Sequence, residues 1–367
     1  MPSDGVALLS RSPELVADVR RLCAAAGQQL RVVADVSEAR QAARRTAVLL
    51  VDAACPDLPQ EWDHESLTDR ASDVIVLTSG PELPDPWRTA VLVGARRVMS
   101  MPADSQRLLD ALALAQEGPG SVGPLVAVVG GCGGVGASTV AVATAWAAAA
   151  HARATLVDLD CLGGGADLLL GLERADGLRW PDLTDARGVV PALALHERLP
   201  RLAQLAVLSC RRDDTSKGGP EIPLPALSAV IGASRRGEGA VIADVPRWPT
   251  AAGDALLSAC DLVLLVVAAE VRAVAAAVAT LGRLSEMCDD VRVVVRGGSR
   301  KRLASSDVGV ALGRAVALAV PDESRLAAAA DSGELAQALQ RSRLGRTAAE
   351  AWARIGSDLA SSRAARP

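Results

Sequence analysis

The chain has 367 residues, half of them hydrophobic, 22% charged, with a formal net charge of −4; this excludes a disordered chain and leaves room for two or three domains, each with its own core. The acidic balance and the absence of Phe and Tyr argue against a nucleic-acid-binding domain, which carries basic surface and stacking rings. No run of 18 uncharged apolar residues occurs and MPSDGVALLS lacks a charged leader before an apolar stretch, so neither a membrane span nor a secretory signal is expected and a cytoplasmic location follows.

From Gly5 to Ala115, short apolar runs alternate with helical spacing. Strands are expected at Val6–Leu9, Leu30–Val33, Ala47–Val51 and Val74–Leu77, with a fifth near Arg97–Met99. Helices are expected over 13–26, 36–45, 86–93 and 105–115. Such alternation predicts an α/β unit built on a parallel sheet covered on both faces. The Gly, Ser and Pro of QEGPGSVG, residues 116–123, mark a linker, which divides the chain into domains at 1–115 and 124–367.

After the linker, LVAVVGGCGGVGAST (125–139) runs from an apolar strand into a glycine loop and then a helix of small residues. Glycines let backbone N–H groups converge on one point, and the helix adds its positive N-terminal end, so the order suits a phosphate-binding loop. A P-loop lysine before the hydroxyl residue is missing: Ala137 stands there, and lysine occurs only at 217 and 301. Six further strands are expected at Thr155–Leu159, Leu205–Leu208, Ala240–Ala243, Leu262–Val267, Val291–Val295 and Val316–Val320. Asp158, Asp160 and Asp244 fall at the carboxyl ends of two of them, where ligands bind in such sheets.

Seven cysteines without CxxC spacing predict neither a disulfide framework nor a zinc site. His64, His151 and His196 are isolated from one another and from cysteines. Near the end, Leu344, Ala348, Trp352, Ile355 and Leu359 recur at helical spacing among arginines 341, 343, 346 and 354. This stripe either docks on its own domain or meets an anionic membrane surface as a basic amphipathic helix.

The first segment resembles a response-regulator receiver domain of the flavodoxin-like, CheY-like type. VLLVDAACPDLP, VIVLTS and GARRVMSMPADSQRLLDAL carry the resemblance, with Asp52 in the place of the phospho-acceptor. Ser10 and Arg11 replace the acidic pair that holds Mg²⁺, and Met101 replaces the lysine. A metal-free site gives phosphotransfer no electrostatic support, so a pseudo-receiver serving contacts, with Asp52 unphosphorylated, is expected.

In the second segment, GGCGGVGAST, VDLDCLGGGADLLLGL, AVIADVPRW, ACDLVLLVVAAE and ALGRAVALAVPDESRLAAAADSGEL occur in order. Together they resemble the MinD/ParA group of deviant Walker ATPases. The fusion to a receiver-like domain is similar to the CpaE/TadZ branch and to actinobacterial septum-site-determining proteins.

The resemblance implies a nucleotide cradle of Gly131, Cys132, Gly133, Gly134, Val135, Gly136, Ala137, Ser138 and Thr139, with ATP and Mg²⁺ as cofactors. It implies Mg²⁺ at Ser138, Asp158 and Asp244, and Asp158 and Asp160 as the switch aspartates of catalysis, the second orienting the attacking water. It also implies a homodimer that positions division or pilus and secretion machinery, with a peripheral membrane contact open. The family's signature lysine falls at Cys132 and the Walker lysine at Ala137. Without these charges, transition-state stabilisation is lost and hydrolysis is expected to be very slow or absent.

Arg211, Arg212 and Arg296, the last where relatives carry an asparagine against the base, are candidates to compensate. Cys132, in a loop of converging N–H groups, is either a redox-sensitive thiol or an inert small residue. Arg296, Arg300, Lys301 and Arg302 form a basic cluster that either touches an anionic partner or is solvated. The alternative function is a nucleotide-independent scaffold in which both domains keep only their surfaces.

Overall fold

The computed structural model describes residues 5–43, 45–56, 58, 73–79, 86–95, 97–116, 122–186, 190, 192–210, 221–236, 239–297 and 303–364. His64, Arg211, Arg212, Arg300, Lys301, Arg302 and positions 117–121 of the expected linker lie outside them. The chain divides into two compact units, Met1–Gly120 and Ser121–Pro367.

In the first unit, β1 (Val6–Leu9), β2 (Leu30–Val33), β3 (Val48–Asp52), β4 (Asp73–Ser79) and β5 (Arg97–Met101) form a parallel sheet in the order β2-β1-β3-β4-β5. Strand alternation explains the covering helices: Ala7 and Leu9 of β1 enter one core, Val6 and Leu8 the other. The helix Pro13–Ala25 begins where Ser12 Oγ accepts the Leu15 N–H at 3.3 Å, with Pro13 in the first turn.

The second unit is an eight-stranded sheet. Its strands are β6 (Leu125–Gly130), β7 (Ala154–Asp158), β8 (Arg201–Leu202), β9 (Leu205–Leu208), β10 (Ala240–Val245), β11 (Leu262–Ala268), β12 (Val291–Arg296) and β13 (Val316–Val320). They lie in the order β13-β12-β11-β6-β10-β7-β9-β8, all parallel except β8 against β9. Sequence alone predicts seven strands; β8 is the eighth, a two-residue edge strand that folds back at Ala203, whose φ is +52°. Two residues are too few to show alternation.

Both faces of this sheet are dry. Leu125, Ala127 and Val129 of β6 join the core under the helices Leu224–Arg235, Ala251–Ala259 and Val271–Met287. Val126 and Val128 face the helix Ala137–Ala149, which is buried on nearly every side. Sandwiched helices of this kind are built of Ala and Val because small side chains allow close approach to the sheet.

The terminal helix Arg343–Ala364 lies over Ala137–Ala149 and β13. Leu344, Ala348, Trp352, Ile355 and Leu359 are each 7% exposed or less. The stripe therefore docks on its own domain, and the apolar face that a membrane contact would use is occupied. No helix among the described residues is long and apolar enough to cross a membrane.

Candidate nucleotide site

β6 delivers the chain to the loop 131–136 at the carboxyl edge of the sheet. Gly131 N–H donates to Val266 O at 2.8 Å, tying the start of the loop to β11. A Cβ on Gly131 would stand 2.8 Å from Ala277 Cβ and 3.2 Å from Val266 O, so the close approach requires glycine. Gly136 has φ +81° and leads into the helix at Ala137, while Gly133 and Gly134 have nothing within 4 Å of the place a Cβ would take. The tip of the loop is thus open and its root is tightly packed.

The side chains at the two lysine positions turn to the core. Cys132 is half-buried against the apolar clusters of both faces, and Ala137 packs on the cluster around Val140. Neither contributes charge. Ser138 stands in the first turn, its hydroxyl near enough to Asp244 to favour the charged carboxylate, and Thr139 follows it.

Asp244 lies in register with Asp158 on the neighbouring parallel strand, which sets the two carboxylates side by side at the strand ends. Both are buried. Asp158 Oδ1 accepts the Asp160 N–H at 2.9 Å and Oδ2 accepts the Ala166 N–H at 2.8 Å, so this residue closes the loop 159–166 on itself. Trp180 Nε1 donates to the Asp158 carbonyl at 2.8 Å from within the core.

Burial, with the charge of Asp244 beside it, pushes the Asp158 carboxyl up to about 8. Asp244 is raised to about 6 by burial, opposed by the Ser138 hydroxyl bond and reinforced by the charge of Asp160. Burial also raises Asp160, whose Oδ1 accepts the Leu162 N–H at 3.3 Å. Two buried carboxylates in register, with the half-buried Asp160 nearby, resist carrying full charge together.

The donor set fits Mg²⁺: a serine hydroxyl and carboxylate oxygens are hard ligands of the kind this ion takes, few in number and supplemented by water and phosphate. Among the described residues no three His, Cys, Asp or Glu converge as an all-protein metal cage. The open glycine tip and the helix start fit a phosphate group.

Sequence reasoning missed two supports of this corner. Asp167 and Arg179 form a buried pair at 3.6 Å, with side chains 1% and 7% exposed, and Arg179 Nη2 also donates to Leu172 O at 2.9 Å. The signal was an acidic residue inside the apolar run ADLLL. Cys161 and Cys210 form a disulfide across 49 residues with Cα atoms 5.3 Å apart, which corrects the expectation that the cysteines are unpaired. β7 and β9 are neighbours, so residues just past their ends meet at one edge; sequence spacing does not reveal this. Arg296, expected as a candidate to compensate for the missing lysines, does reach the loop: its Nη1 donates to Val135 O at 2.9 Å.

In the first unit Asp52 ends β3 and is 2% exposed. Ser10 Oγ donates to its Oδ2 at 2.6 Å and the Ala54 N–H to its Oδ1 at 3.0 Å. Ser12 N–H in turn donates to Ser10 Oγ at 3.1 Å. Both carboxylate oxygens are therefore satisfied from within.

Residues 9–123 match the family described as Rv3660c-like, CheY-like N-terminal domain. The chain is 41% identical over 269 residues to the uncharacterized protein Rv3660c of Mycobacterium tuberculosis (strain ATCC 25618 / H37Rv), covering 72% of this chain and 75% of that one. Its fold is similar to a ParA family ATPase from Chlorobium tepidum TLS, with a TM-score of 0.53 and 17% identity over 63% of this chain and 98% of that one. It is also similar to the Pyrococcus furiosus cell division ATPase MinD, with a TM-score of 0.53 and 16% identity over 64% and 99%. At such identities the likeness speaks for the fold. With a CheY-like domain in front of a MinD/ParA-like P-loop NTPase fold, the chain belongs to the Rv3660c family.

Proposed function

We propose that the protein is a nucleotide-dependent spatial regulator of the MinD/ParA kind, holding Mg-ATP in the loop 131–139 with little or no hydrolysis. The observation that carries this is Asp244 in register with Asp158, both buried at the strand ends, beside the helix turn of Ser138 and an open glycine loop. Ser138 and Asp244, with Asp158 behind them, would hold the metal; backbone N–H groups from Gly133 to Thr139 would hold the phosphates. Bound Mg-ATP would supply the phosphoryl group, and Asp160 the orientation of the water. Cys132 and Ala137 leave the transition state without its two lysine charges, so holding outlasts turnover.

The proposed domains are a pseudo-receiver at 1–115 and a P-loop domain at 124–367, joined by 116–123. The proposed partners are a second copy of the chain and division machinery or a pilus and secretion apparatus, in keeping with the CpaE/TadZ and septum-site branch, at the cytoplasmic side. The cell-division ATPase MinD of Pyrococcus furiosus, similar in fold, favours the division arm.

Calorimetric titration with Mg-ATP, with and without EDTA, and sedimentation of the same samples test the reading. Saturable, magnesium-dependent binding and a shift towards dimer are expected. Absence of binding at millimolar nucleotide by folded protein would leave the second reading, a scaffold without nucleotide. The sealing of Asp52 by Ser10 favours that reading for the first domain.

A further inference from the structure

The loop lacks lysine, yet it is not without a cation. β12 ends at Arg296, whose backbone is fixed: its carbonyl accepts the Ala269 N–H at 2.8 Å, and the Gly297 N–H that follows donates to Val320 O at 2.9 Å. From this anchored position the side chain crosses to the loop, 161 residues away in sequence, where Nη1 bonds Val135 O. A Cβ on Gly136 would fall 1.6 Å from Nη1 and 2.9 Å from Cζ. The guanidinium therefore rests on the bare Cα of Gly136, one residue before the helix that begins at Ala137. Its other neighbour, Asp322 Oδ1, is 3.8 Å from Nη2, beyond hydrogen-bond length, and that carboxylate is 57% exposed. The Arg296 side chain is 21% exposed.

A guanidinium carries five N–H donors in a planar fork matched to phosphate oxygens. Here its hydrogen bond goes to a neutral carbonyl, and its carboxylate partner, Asp322, is a longer, 57% exposed ion pair at 3.8 Å, a weaker set than a directly bonded phosphate. We propose that Arg296 is the phosphate-binding cation of this site, exchanging the Val135 carbonyl for an oxygen of a nucleoside polyphosphate and restoring in cis one of the charges that Cys132 and Ala137 lack. The proposal rests on the reading that the loop holds a nucleotide. Proton and electron counts do not change: one hydrogen-bond acceptor replaces another.

The test is calorimetric titration of the full chain and of Arg296→Gln and Arg296→Lys with Mg-ATP, Mg-ADP and adenosine at two salt concentrations. Arg296→Gln should weaken ATP and ADP by about tenfold to a hundredfold, the range for hydrogen bonds to a charged group. Adenosine, which has no phosphate, should bind all three proteins alike, and Arg296→Lys should recover part of the loss. The salt dependence of ATP binding should flatten in Arg296→Gln. Equal ATP affinity in the wild type and Arg296→Gln would overturn the assignment, and tighter binding in Arg296→Gln would show that the guanidinium plugs the loop instead. If wild-type protein binds no ATP at all, the nucleotide reading itself fails. Should Arg296→Gln not fold, Arg296→Lys decides: affinity unchanged from the wild type, with its salt dependence, refutes a forked phosphate contact.

Discussion

Asp52 and Asp244 occupy the same kind of place, the carboxyl end of a parallel strand, in two sheets of one chain, and they are treated in opposite ways. Around Asp52 the hydroxyl of Ser10 and the Ala54 N–H satisfy both oxygens, so the carboxylate needs nothing from outside. Around Asp244 the chain gathers Asp158 in register and Asp160 nearby, and the neighbouring Ser138 hydroxyl does not complete the Asp244 carboxylate, so charge is left over. A strand-end aspartate is therefore no evidence of chemistry by itself. What distinguishes a resting carboxylate from a working one is whether its neighbours complete it or compete with it.

The contrast is tested first by what braces the second site. Removing Arg179 leaves Asp167 buried without its cation and several carbonyls without a donor. Arg179→Ala should cost about 3–5 kcal/mol, the range for breaking a buried pair. Peptide-resolved hydrogen exchange should show the loss concentrated in residues 159–183, with the first unit unchanged; equal loss in both units would mean the pair does not serve the corner specifically. Next is the disulfide. Under oxidising conditions, the double variant Cys161→Ser, Cys210→Ser should lose about 2–4 kcal/mol by denaturant titration. With excess reductant the difference from the wild type should vanish.

The elements that could be read from residues alone are those whose signal is local. Alternating apolar runs and helical spacing disclosed both α/β sheets, and LVAVVGG followed by small residues disclosed a strand, loop and helix, because periodicity and glycine chemistry act over a few residues. Asp158 and Asp244 were visible as strand-end acids. That they stand in register was not, since β10 inserts between β6 and β7 although it follows both in sequence. The same physical reason hid the pairing of Cys161 with Cys210, a product of strand order; Arg296 was visible as a candidate for the loop, but not its bond to the Val135 carbonyl. Arg179 was hidden differently: an arginine reads as surface, and only burial against Asp167 and carbonyl oxygens reveals it as core.

The comparison sharpens further at Ser10. If this hydroxyl completes Asp52, Ser10→Ala leaves a buried carboxylate oxygen without its 2.6 Å donor and should cost the first unit about 1–3 kcal/mol. The second unit should melt as before. Ser10→Asp sharpens the question differently, because it recreates a second carboxylate beside Asp52: destabilisation reversed by millimolar Mg²⁺ would show that the first site lost its metal through this single position, whereas destabilisation without rescue would show that more is missing.

The smallest effect carries the clearest sign. Asp244→Asn keeps an oxygen near the Ser138 hydroxyl, offers an amide to Asp158 and removes one charge from a corner that resists holding it. The expected result is a gain of about 1 kcal/mol without ligand, less than the carboxyl shift alone would suggest because the nearby Ser138 hydroxyl interacts less with a neutral amide than with a carboxylate. In a unit of this size that is a rise of about 2–4 °C in Tm. Asp52→Asn should bring no such gain, because both Asp52 oxygens already accept hydrogen bonds from Ser10 and Ala54. Mg-ATP should then raise the Tm of the wild type but not that of Asp244→Asn, since a ligand stabilises only the form that binds it. If Asp244→Asn destabilises the ligand-free protein as a lost structural bond would, Asp244 is a completed carboxylate like Asp52, and the difference between the two sheets disappears.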